Sequence, residues 1–230
     1  MVLVLHRALR PLQPFDGCVG IDRDDQAVPE IDRWVISTTL GWLSGLGRAV
    51  DRIGLCSINL SGHSLSDKNV LDFILRQIDE AGVSPHKLCF EVTETVAIAN
   101  LTNARRLFTT LAQRGCRFAL DDFGTGMSSY SYLKTLPVDY LKIDGSFVKD
   151  VATDPIDLAM VKSINDIGHV MGKRTIAEFV ESAEILEKLK ALRVDYAQGY
   201  FIARERPVGD LVLESDEPPT GVHTMDPPAS

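Results

Sequence analysis

The sequence predicts an α/β protein built on a parallel β-sheet, and three observations support this. Apolar strand-like runs alternate with helical patterns along most of the chain, in six strand–helix units. One run, 118–121, stays apolar until it reaches the adjacent carboxylates Asp121 and Asp122, as expected of a strand covered on both faces. The N-terminal segment adds one or two strands, so the natural closure of the sheet is a (β/α) barrel.

The predicted elements follow one another in a regular order. A strand at 2–5 precedes a loop-like stretch from 11 to 28, and a helix then runs from Glu30 to about residue 50, with Pro29 suited to its first turn. The other predicted strands cover 55–60, 87–92, 118–121, 140–143, 174–180 and 194–202. The other predicted helices cover 70–82, 101–111, 130–136, 156–170, 183–192 and 208–213.

Composition narrows the class of protein. The chain has 230 residues, 45% of them hydrophobic and 24% charged, which is typical of a soluble globular protein. A formal net charge of −8 argues against binding to a nucleic-acid polymer, and no apolar run reaches membrane-spanning length. The cysteines form no CxxC pair, and Cys56 and Cys89 lie in strand-like runs, so we expect buried thiols. We therefore expect a cytoplasmic protein without a membrane segment.

Polar side chains stand where the predicted strands end. In a (β/α) barrel the carboxyl ends of all strands meet at one rim, where active sites are built. Lys142 alternates with Leu141 and Ile143, so it is expected to point into the barrel, where a lysine needs anionic partners. The whole set is Asn59, Glu91, Asp121, Asp122, Lys142, Asp144, Glu178, Glu181 and Gln198.

Two explanations compete for these residues. An Asp at a strand-to-helix turn is commonly a helix cap, and capping could account for single positions. Glu91, Lys142 and Gln198 are poor caps, however, and the adjacent carboxylates of Asp121 and Asp122 repel each other unless a cation lies between them. Oxygen ligands without histidine suit Mg²⁺ or Mn²⁺ rather than zinc. Two such cations beside one lysine suit hydrolysis of a phosphate ester.

Six motifs make the chain resemble the EAL domain, the bacterial phosphodiesterase domain that linearises cyclic di-GMP. They cover Pro29 to about Leu213 in the family's order and spacing, and together they are highly specific. The resemblance implies the (β/α)8 TIM-barrel-like EAL fold. The motifs are Asn59-Leu60-Ser61, Glu91-Val92-Thr93-Glu94, Asp121 to Gly126 followed by Ser128-Ser129, Leu141-Lys142-Ile143-Asp144, Ala177-Glu178-Phe179-Val180-Glu181 and Gln198-Gly199-Tyr200.

The resemblance also implies roles for individual residues. Lys142 would position or activate the attacking water, and Gln198 would help to hold the first metal and its water. Glu94 would tether the loop 124–129, which includes Thr125 and Gly126. The implied metal ligands are Asn59, Glu91 and Asp121 for one position and Asp122 and Glu178 for the other, with Glu178 also counted among the catalytic residues.

The sequence departs from the family at its name-giving motif, Glu-x-Leu-x-Arg, which is absent. Either Met1 to Leu5 stands in its place, or residues 2–12 correspond to the preceding strand and a segment is missing before Pro29. We prefer the second interpretation, and either one removes a metal ligand and an arginine that contacts the dinucleotide. A smaller departure is Phe179, where the family usually has glycine.

These considerations divide the chain and leave two functions open. We expect a shortened N-terminal region at 1–29, a barrel at 30–214 and a disordered acidic, proline-rich tail at 215–230.

One of the two open functions is a cyclic di-GMP phosphodiesterase with a weakened metal position, impaired or rescued by a nearby group such as Asp22, Asp24 or Asp25. The other is a non-catalytic module that senses cyclic di-GMP or binds a protein. The resemblance further implies a homodimer and an upstream sensory or GGDEF-type domain.

Overall fold

The computed structural model describes residues 2–4, 27–126 and 130–203. Seven parallel strands form one sheet in which each strand pairs with its neighbours in chain order. This order arises when every strand is followed by a crossover that returns the chain in the same direction. The strands are β1 (Val2–Val4), β2 (Leu55–Asn59), β3 (Leu88–Thr93), β4 (Arg117–Phe123), β5 (Tyr140–Ile143), β6 (Arg174–Ala177) and β7 (Tyr196–Ala197).

Helices connect the strands. Three short 3₁₀ helices, Gly47–Arg52, Pro85–Lys87 and Tyr130–Lys134, complete the connections. None of the helices in the described ranges is both long and apolar enough to cross a membrane. The α-helices are α1 (Ala27–Gly45), α2 (Gly62–Ser66), α3 (Val70–Ala81), α4 (Glu94–Ala99), α5 (Leu101–Gln113), α6 (Gly145–Val148), α7 (Pro155–Val170) and α8 (Ala183–Ala191).

Local sequence signals explain the bounds of the longer helices. In α3 the buried residues Val70, Ile74 and Ile78 recur every four positions and form one apolar stripe. The helix ends at Gly82, whose φ of 63° is left-handed and therefore favours glycine. α7 begins as predicted, because the Asp154 carboxylate accepts hydrogen bonds from the backbone N–H groups of Ile156 and Asp157.

The core has two layers, one on each face of the sheet. The larger layer lies between the sheet and the helices and includes Leu141 and Ile143. The smaller layer lies on the inner face and takes one residue from each of six successive strands. Its members are Leu55, Cys89, Ala119, Tyr140, Ile176 and Tyr196. This separation follows from the alternation of side chains along a strand.

The predicted parallel sheet is confirmed, and the differences from the prediction are local. β6 and β7 end at Ala177 and Ala197, earlier than predicted. Phe179, two residues beyond β6, has a left-handed φ of 54°, which interrupts the extended backbone. α2, α4 and α6 were not predicted, since helices of four to six residues are too short to show a helical period. The predicted helix at 208–213 and tail at 215–230 lie outside the described residues, as do Asp22, Asp24 and Asp25.

Candidate active site

A layer of polar side chains lies directly above the inner apolar layer. Side chains on one face of a strand recur every second residue, so the residue two positions after each apolar residue also faces inward. Asn59 lies four positions after Leu55 and pairs in register with Glu91 of β3. The six polar residues stand at the carboxyl ends of their strands or directly after them, as predicted. Asn59, Glu91, Asp121 and Lys142 lie within β2 to β5, and Glu178 and Gln198 directly follow β6 and β7.

Lys142 is the centre of this layer. Its ammonium Nζ lies 2.9 Å from Glu91 Oε2, 2.8 Å from Asp121 Oδ1 and 2.8 Å from Glu178 Oε1. Burial alone would lower the pKa of Lys142, but the three carboxylates outweigh that effect and raise it well above its ordinary value. The three carboxylates therefore favour the charged form of Lys142, and all four side chains are buried.

Opposing effects of burial and neighbouring charges set the pKa of Asp121. Burial raises the pKa of Asp121 to about 6, and the neighbouring Glu178 and Glu91 contribute to the rise, while Lys142 opposes it. One ammonium thus faces more negative charge than it can neutralise. An additional cation at this position would relieve the excess.

A β-bulge brings the second aspartate to the same site. Leu120 pairs with Leu141 and Phe123 pairs with Ile143, so Asp121 and Asp122 together lie opposite Lys142 alone. Asp122 has a φ of 53°, in the left-handed region that Asp tolerates better than most residues. As a result, carboxylate oxygens of Asp121, Asp122 and Glu178 all lie within 4.8 Å of one another and could hold a metal ion.

Two buried oxygen atoms in this layer lack a hydrogen-bond partner among the described residues. They are Oε1 of Glu91 and Oε1 of Gln198. Buried polar atoms are normally hydrogen-bonded or bound to an ion, so these two oxygens are available to a ligand. Both are oxygens, which are the atoms that hard divalent cations prefer. The residues present therefore fit a site for Mg²⁺ or Mn²⁺.

Glu94, the predicted loop anchor, is buried beside this layer and contacts the segment after β4. Its Oε2 accepts the N–H of Gly124 at 3.0 Å, and a Cβ at Gly126 would lie only 3.3 Å from its Cδ. The Thr125 hydroxyl donates to the carbonyl of Asp122 at 3.0 Å. Thr125 and Gly126 thus belong to the neighbouring loop and Glu94, the first residue of α4, contacts that loop, while the carboxylates paired with Lys142 are those of Glu91, Asp121 and Glu178.

Sequence reasoning missed two residues that support the site. The hydroxyl of buried Tyr132 donates to Glu94 Oε1 at 2.5 Å. The carboxylate of Asp32 in α1 accepts the Ser61 N–H at 2.8 Å and the Ser64 hydroxyl at 2.6 Å, and so holds the turn that follows Asn59. Neither residue stands at a strand end, and no local signal in the sequence connects them to the site.

Asp144 and Glu181, also predicted at the rim, have other positions. The Asp144 carboxylate accepts the N–H of Ser146 at 2.8 Å and caps α6, so the simpler capping explanation applies to it. Glu181 is exposed. Neither belongs to the group of side chains that surrounds Lys142.

A comparison with known proteins identifies the family of this chain. A sequence model described as "EAL domain" matches residues 3–205, which is most of the chain. This chain belongs to the EAL domain family. The resemblance of the motifs and the TIM-barrel-like EAL fold are thereby confirmed.

Two curated relatives of this EAL domain are named cyclic di-GMP phosphodiesterases. PdeB of Shewanella oneidensis is 46% identical over 181 residues, covering 79% of this chain and 21% of the relative. PdeA of Borreliella burgdorferi is 40% identical over 156 residues, covering 68% of this chain and 23% of the relative. The chain therefore spans less than a quarter of the length of either protein.

Solved structures with the same fold include EAL domains that were determined with a ligand. The PaMucR phosphodiesterase in complex with c-di-GMP has a TM-score of 0.77 and 28% identity, over 81% of this chain and 76% of that chain. The FimX EAL domain from Pseudomonas aeruginosa bound to c-di-GMP has a TM-score of 0.71 and 31% identity, over 77% of this chain and 71% of that one.

Proposed function

We propose that this EAL domain binds cyclic di-GMP and hydrolyses it to linear pGpG with the help of two divalent cations, Mg²⁺ or Mn²⁺. One observation carries the proposal above all: buried Lys142 is ion-paired with three carboxylates, and two oxygens of the same site have no hydrogen-bond partner in the described part of the chain. The names of the relatives and the ligands in the similar solved structures support the choice of substrate.

The proposed metal ligands divide into two groups. Asn59, Glu91 and Asp121 would hold the first cation, with Gln198 contributing to it, and the unpartnered Oε1 atoms of Glu91 and Gln198 support this assignment. Asp122 and Glu178 would complete the second position, which the close approach of their oxygens supports. When bound, the two cations would supply a nucleophilic hydroxide and offset negative charge on the phosphodiester.

Lys142 would act on the same reaction. Its ammonium is fixed by carboxylates on β3, on β4 and directly after β6, so it needs no rearrangement when charge develops on the substrate. We assign to it the orientation of the attacking water through a hydrogen bond from Nζ. Glu94 would hold the loop containing Thr125 and Gly126 beside the metal ligands, through its bond to Gly124.

The absence of Glu-x-Leu-x-Arg from the sequence favours reduced turnover. Loss of a group that supports a metal ligand costs about 10–100-fold in affinity or activity, and loss of a ligand itself should cost at least as much. The same absence favours the second candidate function, an inactive EAL module that acts as a cyclic di-GMP receptor or a protein-interaction domain. The phosphodiesterase and the receptor use the same nucleotide site and differ in turnover, whereas a protein-interaction domain needs no nucleotide.

We extend the proposal to the neighbouring domains, the oligomeric state and the location of the protein. Because the relatives are about four to five times longer than the aligned segment, we propose that an EAL domain of this kind operates beside an upstream sensory or GGDEF-type domain. We further propose a homodimer in the cytoplasm.

A binding and turnover experiment separates the candidates. The protein is incubated with cyclic di-GMP and Mg²⁺ or Mn²⁺, product is followed by chromatography, and the dissociation constant is measured by calorimetry. Binding with slow release of pGpG supports the impaired hydrolase, and a variant with a Glu-x-Leu-x-Arg strand grafted before Pro29 should then gain turnover. Glu91→Gln or Lys142→Ala in the grafted variant should abolish that gain.

Other outcomes lead to different conclusions. Binding without turnover, before and after a correctly folded graft, supports the receptor. Full activity in the ungrafted protein would mean that another carboxylate replaces the missing Glu. No binding in the presence of metal would overturn the phosphodiesterase and the receptor and would leave the protein-interaction domain.

A further inference from the structure

Phe179 adopts a backbone conformation that is unfavourable for its side chain. Its φ is 54°, in the left-handed region where a residue with a Cβ is strained. Hydrogen bonds on both sides hold this turn, since the N–H of Glu178 donates to the carbonyl of Ile143 at 3.3 Å and the N–H of Val180 donates to that of Gln198 at 3.0 Å. Strain that the surrounding structure maintains in this way is concentrated at functional sites.

The ring of Phe179 lies on the rim, and its neighbours Gly145 and Lys149 fix its position. A Cβ at Gly145 would lie 2.2 Å from Cδ2 of the ring, so the first residue of α6 leaves room for the aromatic group by having no side chain. The Lys149 ammonium is 5.2 Å from the ring centroid, which is a cation–π distance. Phe179 nevertheless remains 48% exposed.

Position along the chain connects this ring to the proposed active site. Phe179 directly follows Glu178, whose carboxylate pairs with Lys142 and approaches Asp121 and Asp122. The turn thus presents one side chain inward to the carboxylate cluster and the next one outward on the rim. A substrate with its phosphodiester at the cluster would extend its remaining parts over this rim.

We infer that Phe179 and Lys149 form a stacking subsite for one purine base of a dinucleotide substrate. This inference rests on the proposed function and adds to it a residue that contacts the base. The exposed part of the ring offers an aromatic surface to a planar base, and Lys149 offers a cation to the electronegative edge of that base. Packing against Gly145 alone would require only an apolar side chain of similar size.

The experiment uses the difference between an aromatic side chain, which can stack on a base, and an apolar side chain, which can only pack against Gly145. Phe179→Leu keeps an apolar side chain and removes the aromatic surface, whereas Phe179→Tyr keeps the surface and serves as the matched control. Because stacking contributes substantially per base, we expect Phe179→Leu to weaken cyclic di-GMP binding by about 5- to 30-fold in calorimetry, and Phe179→Tyr to stay within about 2-fold of the wild-type protein. Where turnover is measurable, KM should rise and kcat should change little.

A second readout tests whether the metal site is intact. The rise in melting temperature with Mn²⁺ should be equal in the wild-type protein and both variants, because Phe179 is not a proposed ligand. Equal nucleotide affinity in Phe179→Leu and the wild-type protein would overturn the inference and leave the proposed function standing, as would an equal loss in both variants. Failure of the wild-type protein to bind cyclic di-GMP would overturn the proposed function and the inference with it.

Discussion

The two oxygens of the Glu91 carboxylate have different environments because of Lys142. Oε2 lies 2.9 Å from the Lys142 ammonium, while Oε1 is buried without a partner among the described residues. A carboxylate with one paired oxygen and one unpaired oxygen is suited to bridge a fixed cation and a bound one. This relationship is the basis of the first two predictions.

Divalent metal should stabilise the folded protein, because a ligand that binds only the native state shifts the folding equilibrium. At a metal concentration 100 times the dissociation constant, we expect a gain of about 2.7 kcal/mol, measured as a rise in melting temperature with Mn²⁺ or Mg²⁺. Glu91→Gln should reduce the rise, and Glu80→Gln, on an exposed residue that accepts a hydrogen bond from Gln77, should not. A melting curve that millimolar metal leaves unmoved would contradict an intact site.

Removal of the buried ammonium should destabilise the protein strongly. Lys142→Met leaves three carboxylates without their shared cation, and breaking a buried ion pair costs about 3–5 kcal/mol. Urea denaturation measures this loss as a lower free energy of unfolding. Lys190→Met is the matched control, since its pair with Glu187 is exposed and should contribute at most about 1 kcal/mol. Similar losses in the two variants would show that the Lys142 network does not stabilise the fold.

Tyr132 should fix the orientation of Glu94 and, through it, the backbone of Gly124. Tyr132→Phe deletes the hydroxyl that donates to Glu94 Oε1, so a buried acceptor is left unsatisfied at a cost of about 1–3 kcal/mol. Hydrogen exchange should show faster exchange of the Gly124 amide, which donates to the other oxygen of Glu94. Tyr200→Phe, on an exposed side chain, should leave this amide unchanged. Unaltered exchange in Tyr132→Phe would mean that Glu94 is held by other contacts.

The buried thiols should be inert in the native protein. Burial raises the pKa of Cys56 and of Cys116 to about 12, and it raises that of Cys89 well above its ordinary value. Iodoacetamide at pH 8 should therefore modify all three far more slowly in the native protein than in urea, as followed residue by residue with mass spectrometry.

The same shifts predict a loss of stability at alkaline pH. The unfolded chain releases these protons near pH 9, whereas the folded chain retains them to about pH 12. The unfolded state therefore binds fewer protons in this range, and the free energy of unfolding falls as pH rises from about 9 to 12. A free energy of unfolding that is constant over this range would contradict the shifted values.

Asp121 and Asp122 show how far the sequence predicts the site and where it stops. Alternation along a regular strand would place these neighbours on opposite faces, so the sequence could only indicate that two carboxylates meet the rim. The bulge against Lys142 places both in one cluster, and it arises from the pairing of β4 with β5, which no local pattern reveals.

Tyr132 and Asp32 illustrate a second limit. Each acts through a hydrogen bond to a residue more than 25 positions away, at Glu94 and Ser61 respectively. Side chains of this kind carry no period, cap or motif of their own. Their role exists only once the strands have brought distant segments into contact.

The alternation of strands and helices, the parallel sheet and the strand ends that carry Glu91, Asp121 and Lys142 follow from the amino-acid sequence. They could be predicted because they depend on local periodicity and on the common direction of the strands. The contacts between charges, the bulge at Asp122 and the packing of Phe179 on Gly145 were found only in the folded chain, because contact between distant segments depends on pairing register and close packing.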